Sequence, residues 1–348
     1  MAPEVIRVLV VDDSAYMRKV IREMLERSPS IKVVGTAFNG KDALEKTAEL
    51  QPDVVTVDLY MPELDGVGFV RTQMSRRPLP IVLCSSATES AEDVMTAMEA
   101  GAVEFVRKPT AQALDYVMSI GEELIRAVTA ASAASVKKLV MEEPRTIQPL
   151  KRSFFHHGPV DAVLIGISTG GPRALRSLLP LFPADFPVPI AIVLHMPPGY
   201  TQPLAQKLDE LCSLQVLESC DELEMQPGRV ILAQAGLHTR LVRRADSTVV
   251  TRLDQERPDM LYCPAVDVLF QSGAAAYGSR VLGVVMTGMG NDGTVGAAWV
   301  KGSGGKIFAE DESSSVVYGM PRSVVEAGLA DQIIPLDQMA EKIMEAVG

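Results

Sequence analysis

The sequence predicts an α/β protein made of two doubly wound domains in series. Three observations lead there. Short β-branched runs alternate with amphipathic stretches of helical period, the pattern of parallel strands joined by crossover helices. One Ala-, Ser- and Pro-rich stretch interrupts that alternation before it resumes, and reads as a linker. The 348 residues also exceed what one core organises, since single cores stop growing at about 250 to 300 residues.

From the amino end, strands are expected over 6–11, 31–36, 53–58, 81–85 and 104–106, each followed by a helical pattern. Five such units fit a flavodoxin-like five-stranded parallel sheet, whose ligands sit at the carboxyl ends of the strands. This first domain is assigned to 1–127. The linker covers 128–157 and carries a local basic group, Lys137, Lys138, Arg145, Lys151 and Arg152. Residues 158–348 form a larger, mostly parallel α/β domain with strand runs at 160–167, 188–195, 228–233, 280–287 and 304–309. Between them, 238–254 alternates like a β-hairpin, so this sheet is expected to be mixed.

Composition excludes several functions. With 44 acidic against 33 basic residues the net charge is −11, which repels a phosphate backbone, so no nucleic-acid partner is expected. No apolar run approaches the roughly 20 residues that span a bilayer, so no membrane insertion is expected. The first apolar run ends in Asp12-Asp13 without a small-residue cleavage site, and the four cysteines lack CxxC spacing. A cytoplasmic location is expected.

In the first domain, chemistry collects at strand ends. Asp12 and Asp13 close the first strand, Asp58 the third, Ser86 follows the fourth and Lys108 the fifth. Three carboxylates on one rim, with a backbone carbonyl near Tyr60, form an oxygen ligand set for Mg²⁺. Asp58 can then accept a phosphoryl group, with Lys108 to neutralise the product and Ser86 to bind one of its oxygens. Any one strand-end Asp is more often a solvated turn residue or helix N-cap; the joint spacing reverses that preference.

In the second domain, GISTGGPRAL follows a buried run and places Ser168 in GxSxG form. Such a turn either cradles a phosphate or exposes a nucleophile. His195 ends the next strong run and Asp292 follows another, so hydroxyl, imidazole and carboxylate leave one sheet edge together. Glycines 288, 290 and 293 free the backbone near Met289 to aim NH groups at an oxyanion. The nucleotide alternative rests on GMGNDG, which is literally GxGxxG with Glu310-Asp311-Glu312 about 20 residues on, yet Asp292 would repel a pyrophosphate there. His238 is the rival base.

VLVVDDSAYMRK, PDVVTVDLYMPELDGVGFV and GAVEFVRKP resemble the receiver domain of bacterial response regulators over residues 5 to about 125. The resemblance implies phosphorylation of Asp58 by a histidine kinase, Mg²⁺ held through Asp12, Asp13 and Asp58, and a switch using Ser86, Phe105 and Lys108. Counting 15 residues back from Gly101 selects Ser86, with Ser85 the alternative; the Lys108–Pro109 bond is expected cis. GISTGGPRAL, HMPPGYTQPLAQKL, CPAVDVLFQS, MTGMGNDGTVGA and AEDESSSVVYGMP resemble the catalytic domain of the CheB chemotaxis protein-glutamate methylesterases over nearly all of 160–345. That resemblance implies Ser168 as nucleophile, His195 as base, Asp292 as its orienting carboxylate, and backbone NH groups near Thr169 and Met289 as oxyanion donors. It implies a cofactor-free esterase, gated by the receiver, that demethylates glutamates and deamidates glutamines on the cytoplasmic helices of methyl-accepting chemotaxis receptors.

Overall fold

The computed structural model describes residues 5–85, 91–108, 114–135, 158–255 and 261–348. The chain divides into two compact units, Met1–Glu143 and Pro144–Gly348. The linker proposed over 128–157 lies, from 136 to 157, outside the described residues.

The first unit alternates β1 (Ile6–Val11), α1 (Ala15–Leu25), β2 (Ile31–Ala37), α2 (Gly40–Leu50), β3 (Val54–Asp58), α3 (Gly66–Arg76), β4 (Ile81–Ser85), α4 (Ala91–Glu99), β5 (Glu104–Arg107) and α5 (Leu114–Ser132). The strands lie in the order β2-β1-β3-β4-β5 and pair in parallel, the flavodoxin-like arrangement expected. Helices cover both faces of such a sheet, so its strands read as continuous apolar runs; Val8, Leu9, Val10, Val54, Val55, Ile81, Val82 and Leu83 are fully buried. Ser14, Asn39 and Asp65 start α1, α2 and α3 by accepting from the amides of Met17, Asp42 and Gly68.

In the second unit, seven strands are ordered β14-β13-β12-β6-β7-β9-β8, and every pairing is parallel. They are β6 (Ala162–Ile167), β7 (Ile190–Leu194), β8 (Gln215–Glu218), β9 (Arg229–Leu232), β12 (Val281–Val285), β13 (Lys306–Glu310) and β14 (Gln332–Ile334). Helices α6 (Gly171–Leu178), α7 (Thr201–Leu211), α8 (Val266–Tyr277), α9 (Thr294–Gly302), α10 (Met320–Glu326) and α11 (Leu336–Val347) connect and cover them. Winding starts at β6, runs outward through β7, then resumes at β12 on the other side. The carboxyl ends of β6, β7 and β12 therefore meet at the topological switch point, where doubly wound sheets place their ligands.

The expected hairpin is present as β10 (His238–Arg243) and β11 (Val249–Asp254), but it forms its own two-stranded sheet. The larger sheet is consequently not mixed. Leu241 donates its amide to Ser272 Oγ at 3.1 Å and Arg243 Nε bonds the Ala276 carbonyl at 2.8 Å, so α8 engages the hairpin. No helix among the described residues is long and apolar enough to cross a membrane.

Candidate active site

Register brings Ser168 and His195 together. Ile167 pairs with Leu194, and the His195 amide donates to the Ile167 carbonyl at 3.2 Å, so the next residue of β6's chain stands beside the next of β7's. Gly170 then turns at φ +80°, a left-handed conformation that favours glycine, and α6 starts with Pro172 in its first turn. This glycine serves the bend. Ser168 is held from the other side as well, its amide donating to the Thr287 carbonyl at 2.9 Å.

The imidazole of His195 is oriented by Asp292, with Nε2 and Oδ2 at 2.7 Å. A carboxylate at Nε2 retains the ring proton there and leaves the Nδ1 lone pair available; Nδ1 is buried with no hydrogen-bond partner. Asp292 accepts in addition from the amides of Val266 at 2.8 Å and Asp267 at 3.0 Å, the first turn of α8. Burial works against its ionisation, but the His195 hydrogen bond and charge and these two amides outweigh it, holding the carboxyl below its ordinary range. Asp292 thus binds the imidazole and caps α8 at once.

The loop after β12 closes on the serine. A Cβ on Gly288 would lie 2.7 Å from Ser168 Cβ and nearer still to Met320 Sδ, so only glycine permits this approach. The Gly288 amide donates to Val317, and its carbonyl accepts from Gly319 and Met320. Met289 follows, half-buried, and Thr169 accepts from Thr287 Oγ1 at 2.9 Å through its carbonyl. The loop with the GxGxxG spelling thus carries a carboxylate turned onto His195. Glu310, the acidic residue of the nucleotide alternative, is fully buried and accepts from the Thr287 amide at 2.8 Å and Ser314 Oγ at 2.8 Å. His238, the rival base, is fully buried and accepts through Nδ1 from the Ala265 amide at 3.3 Å, just before α8.

Four residues have parts in this site that their sequence context does not announce. Asp267 Oδ1 accepts from the amides of Gly293 at 2.9 Å and Gly296 at 2.7 Å, reciprocating Asp292 by capping α9. Burial, joined by the Asp292 charge, raises its pKa. Thr287 and Glu310 brace the Ser168 turn as described. The ring of Tyr262 stacks on His195 with centroids 4.0 Å apart and planes 6° from parallel. Asp267 lies in the quoted stretch CPAVDVLFQS and Glu310 in AEDESSSVVYGMP, but nothing local marks either as a brace.

At the first unit's carboxyl edge, Asp12 and Asp58 are buried and Asp13 exposed, with one ligand oxygen from each inside a 4.8 Å group. Lys108 Nζ lies 2.9 Å from Asp12 Oδ2 and 2.6 Å from Asp58 Oδ1. Burial lowers the Lys108 pKa, but hydrogen bonds and charge from Asp58 and Asp12 reverse that, leaving it raised. An all-oxygen carboxylate set suits Mg²⁺, so the donors present fit that ion. Tyr60, two residues beyond Asp58, is exposed and donates its hydroxyl to Asp93; Phe105 is buried in β5. Ser86 and the Lys108–Pro109 bond lie outside the described residues, as does the side chain of the alternative Ser85.

Comparison with known proteins agrees across both units. The model of the family described as CheB methylesterase matches residues 163–343, and that of the response regulator receiver domain matches 8–115. A protein of Myxococcus xanthus named protein-glutamate methylesterase/protein-glutamine glutaminase 5 is 47% identical over 338 residues, covering 96% of each chain. A Symbiobacterium thermophilum protein named protein-glutamate methylesterase/protein-glutamine glutaminase is 46% identical over 356 residues, 99% of this chain and 97% of its own. The crystal structure of the Thermotoga maritima CheB methylesterase catalytic domain superposes with a TM-score of 0.53 at 43% identity, covering 54% of this chain and 99% of that one.

Proposed function

The chain belongs to the CheB methylesterase family and carries a response regulator receiver domain, and we propose that it is a phosphorylation-activated esterase of chemoreceptor glutamyl methyl esters. The observation that carries this reading is the 2.7 Å contact between His195 Nε2 and Asp292, with Nδ1 buried at the strand end beside Ser168.

In the proposed cycle Nδ1 of His195 takes the Ser168 proton as Oγ attacks the ester carbonyl carbon. The tetrahedral oxyanion is stabilised by the backbone amides of Thr169 and Met289. The carbon–oxygen bond to the methoxy group breaks, and the imidazolium gives its Nδ1 proton to the leaving oxygen, releasing methanol. Water then loses a proton to Nδ1 and attacks the acyl carbon; Ser168 Oγ departs, recovers the proton, and free glutamate remains. Asp292 stabilises the imidazolium in both half-reactions through Nε2. A glutamine side chain follows the same course with ammonia as leaving group, so deamidation is included. The catalytic domain is assigned no cofactor.

In the receiver, assigned to 1–127 and joined through 128–157 to the esterase at 158–348, Asp58 takes a phosphoryl group from a chemotaxis histidine kinase. Asp12, Asp13, Asp58 and the Tyr60 backbone carbonyl would hold Mg²⁺, which supplies positive charge for the phosphoryl oxygens when bound. Lys108 shifts its charge from Asp12 and Asp58 to the new phosphoryl oxygens, and Ser86 with Phe105 passes the change on. Unmodified receiver restrains the esterase, and phosphorylation favours the active state by its different free energy in the two. The protein acts in the cytoplasm without binding nucleic acid or inserting into a membrane.

The test is methanol release from purified methylated chemoreceptor by the full chain, with and without a small phosphodonor plus Mg²⁺. Release that rises with the phosphodonor and is lost in Asp58→Asn supports the scheme. Release indifferent to both refutes receiver control, and full release by Ser168→Ala refutes the assigned nucleophile.

A further inference from the structure

Tyr262 stands in a place that neither the sequence motifs nor the proposed cycle accounts for. It lies just before α8, two residues ahead of Pro264, and its ring stacks on the His195 imidazole, with centroids 4.0 Å apart and planes 6° from parallel. The same side chain reaches the loop after β12: a Cβ on Gly290 would lie 3.6 Å from the Tyr262 hydroxyl. One ring therefore spans the imidazole and the segment that holds Met289.

The stacking bears on the step at which charge appears. With Nε2 bound to Asp292, His195 can accept a proton only at Nδ1, and doing so makes the ring a cation beneath the negative π face of Tyr262. Stabilisation of that cation grows as the proton arrives and is weak before it, so it acts on the transition state more than on bound ester. A parallel ring at this separation also opposes rotation of the imidazole out of the plane that serves Asp292 and Ser168 together.

We infer that Tyr262 is a positioning residue for His195, stabilising the imidazolium through its aromatic face and holding the ring in its two-sided alignment. This rests on the esterase reading above. The hydroxyl is not what this role needs; the aromatic face is.

The experiment compares Tyr262→Phe, Tyr262→Leu and Tyr262→Met in the full chain, with methanol release from purified methylated chemoreceptor as the assay and Ser168→Ala alongside. Cation–π stabilisation of about 0.5 to 2 kcal/mol converts, at 1.36 kcal/mol per tenfold, to a loss of about 2- to 30-fold. That loss is expected in kcat for the Leu and Met variants, with KM changing less, while Phe restores the wild-type kcat. In proton NMR spectra the His195 ring protons are expected to carry an upfield ring-current shift in the wild type and Phe variant that disappears in the other two. If Leu or Met, folded by circular dichroism, keeps the wild-type kcat, or if Phe falls as far as they do, the inference is overturned. Methanol release surviving in Ser168→Ala would sink the esterase reading instead, so the two failures are distinguishable.

Discussion

Replacing Gly288 with alanine tests how tightly the loop after β12 is fitted to Ser168. The added methyl carbon would sit 2.7 Å from Ser168 Cβ, whereas carbon atoms in contact rest about 3.5 to 4.0 Å apart. One of the two must retreat by about 1 Å. The new methyl would also meet the sulfur of Met320, which is fully buried. A displacement of about 1 Å costs on the order of 100-fold when it falls on positioned catalytic groups. Overpacking itself costs about 1 to 3 kcal/mol, which lowers Tm by roughly 2 to 12 °C for a domain of this size. Methanol release from methylated chemoreceptor and thermal unfolding are the two assays. Gly302→Ala is the control, because a Cβ there meets nothing within 4 Å. A Gly288→Ala protein with wild-type kcat/KM and unchanged Tm would refute the reasoning.

Three further outcomes are expected. Asp292, with its carboxyl held below the ordinary range of about 3.9, contributes stability that is present above the unfolded value and lost as pH falls through the folded one. The unfolding free-energy difference between wild type and Asp292→Asn is therefore full at about pH 5 and above and shrinks below about pH 4, as urea titrations would record. Lys108→Met leaves the buried Asp12 and Asp58 carboxylates facing one another and is expected to destabilise the receiver by about 3 to 5 kcal/mol, with added Mg²⁺ raising Tm more than in wild type. Glu310→Ala strips the acceptor from the buried Thr287 amide and from Ser314, which is expected to cost about 1 to 3 kcal/mol in unfolding experiments and to slow methanol release, because the Thr287 carbonyl holds the Ser168 amide.

The parallel sheets were legible because their strands are buried on both faces and so stand out as continuous apolar runs. VLVV before Asp12-Asp13 and AVLIGI before Ser168 could each be placed to the residue that leaves the strand. The hairpin was legible as a hairpin but not as a separate sheet, since period-two alternation fixes pairing between neighbours and says nothing about which third strand lies alongside. At the site, glycine patterning and strand-end polar residues pointed to Ser168, His195 and Asp292. Which imidazole nitrogen meets Asp292 has no sequence signature, because it follows from the direction in which the loop after β12 returns. Asp267 was missed for a similar reason: a carboxylate in the first turn of α8 is ordinary, and its bonds to Gly293 and Gly296 exist only through tertiary packing. Glu310 stands in the sequence as one of three consecutive acids that could serve the nucleotide alternative, yet as the last residue of β13 its side chain turns inward onto Thr287.

In the proposed cycle, Ser168 is the group activated by His195. Mass-spectrometric mapping after treatment with a phosphonylating probe addresses it most directly. A single adduct on Ser168 in the wild type, formed far more slowly in His195→Ala, is the predicted result. An adduct on another residue, or labelling of Ser168 at an undiminished rate without the imidazole, would contradict it.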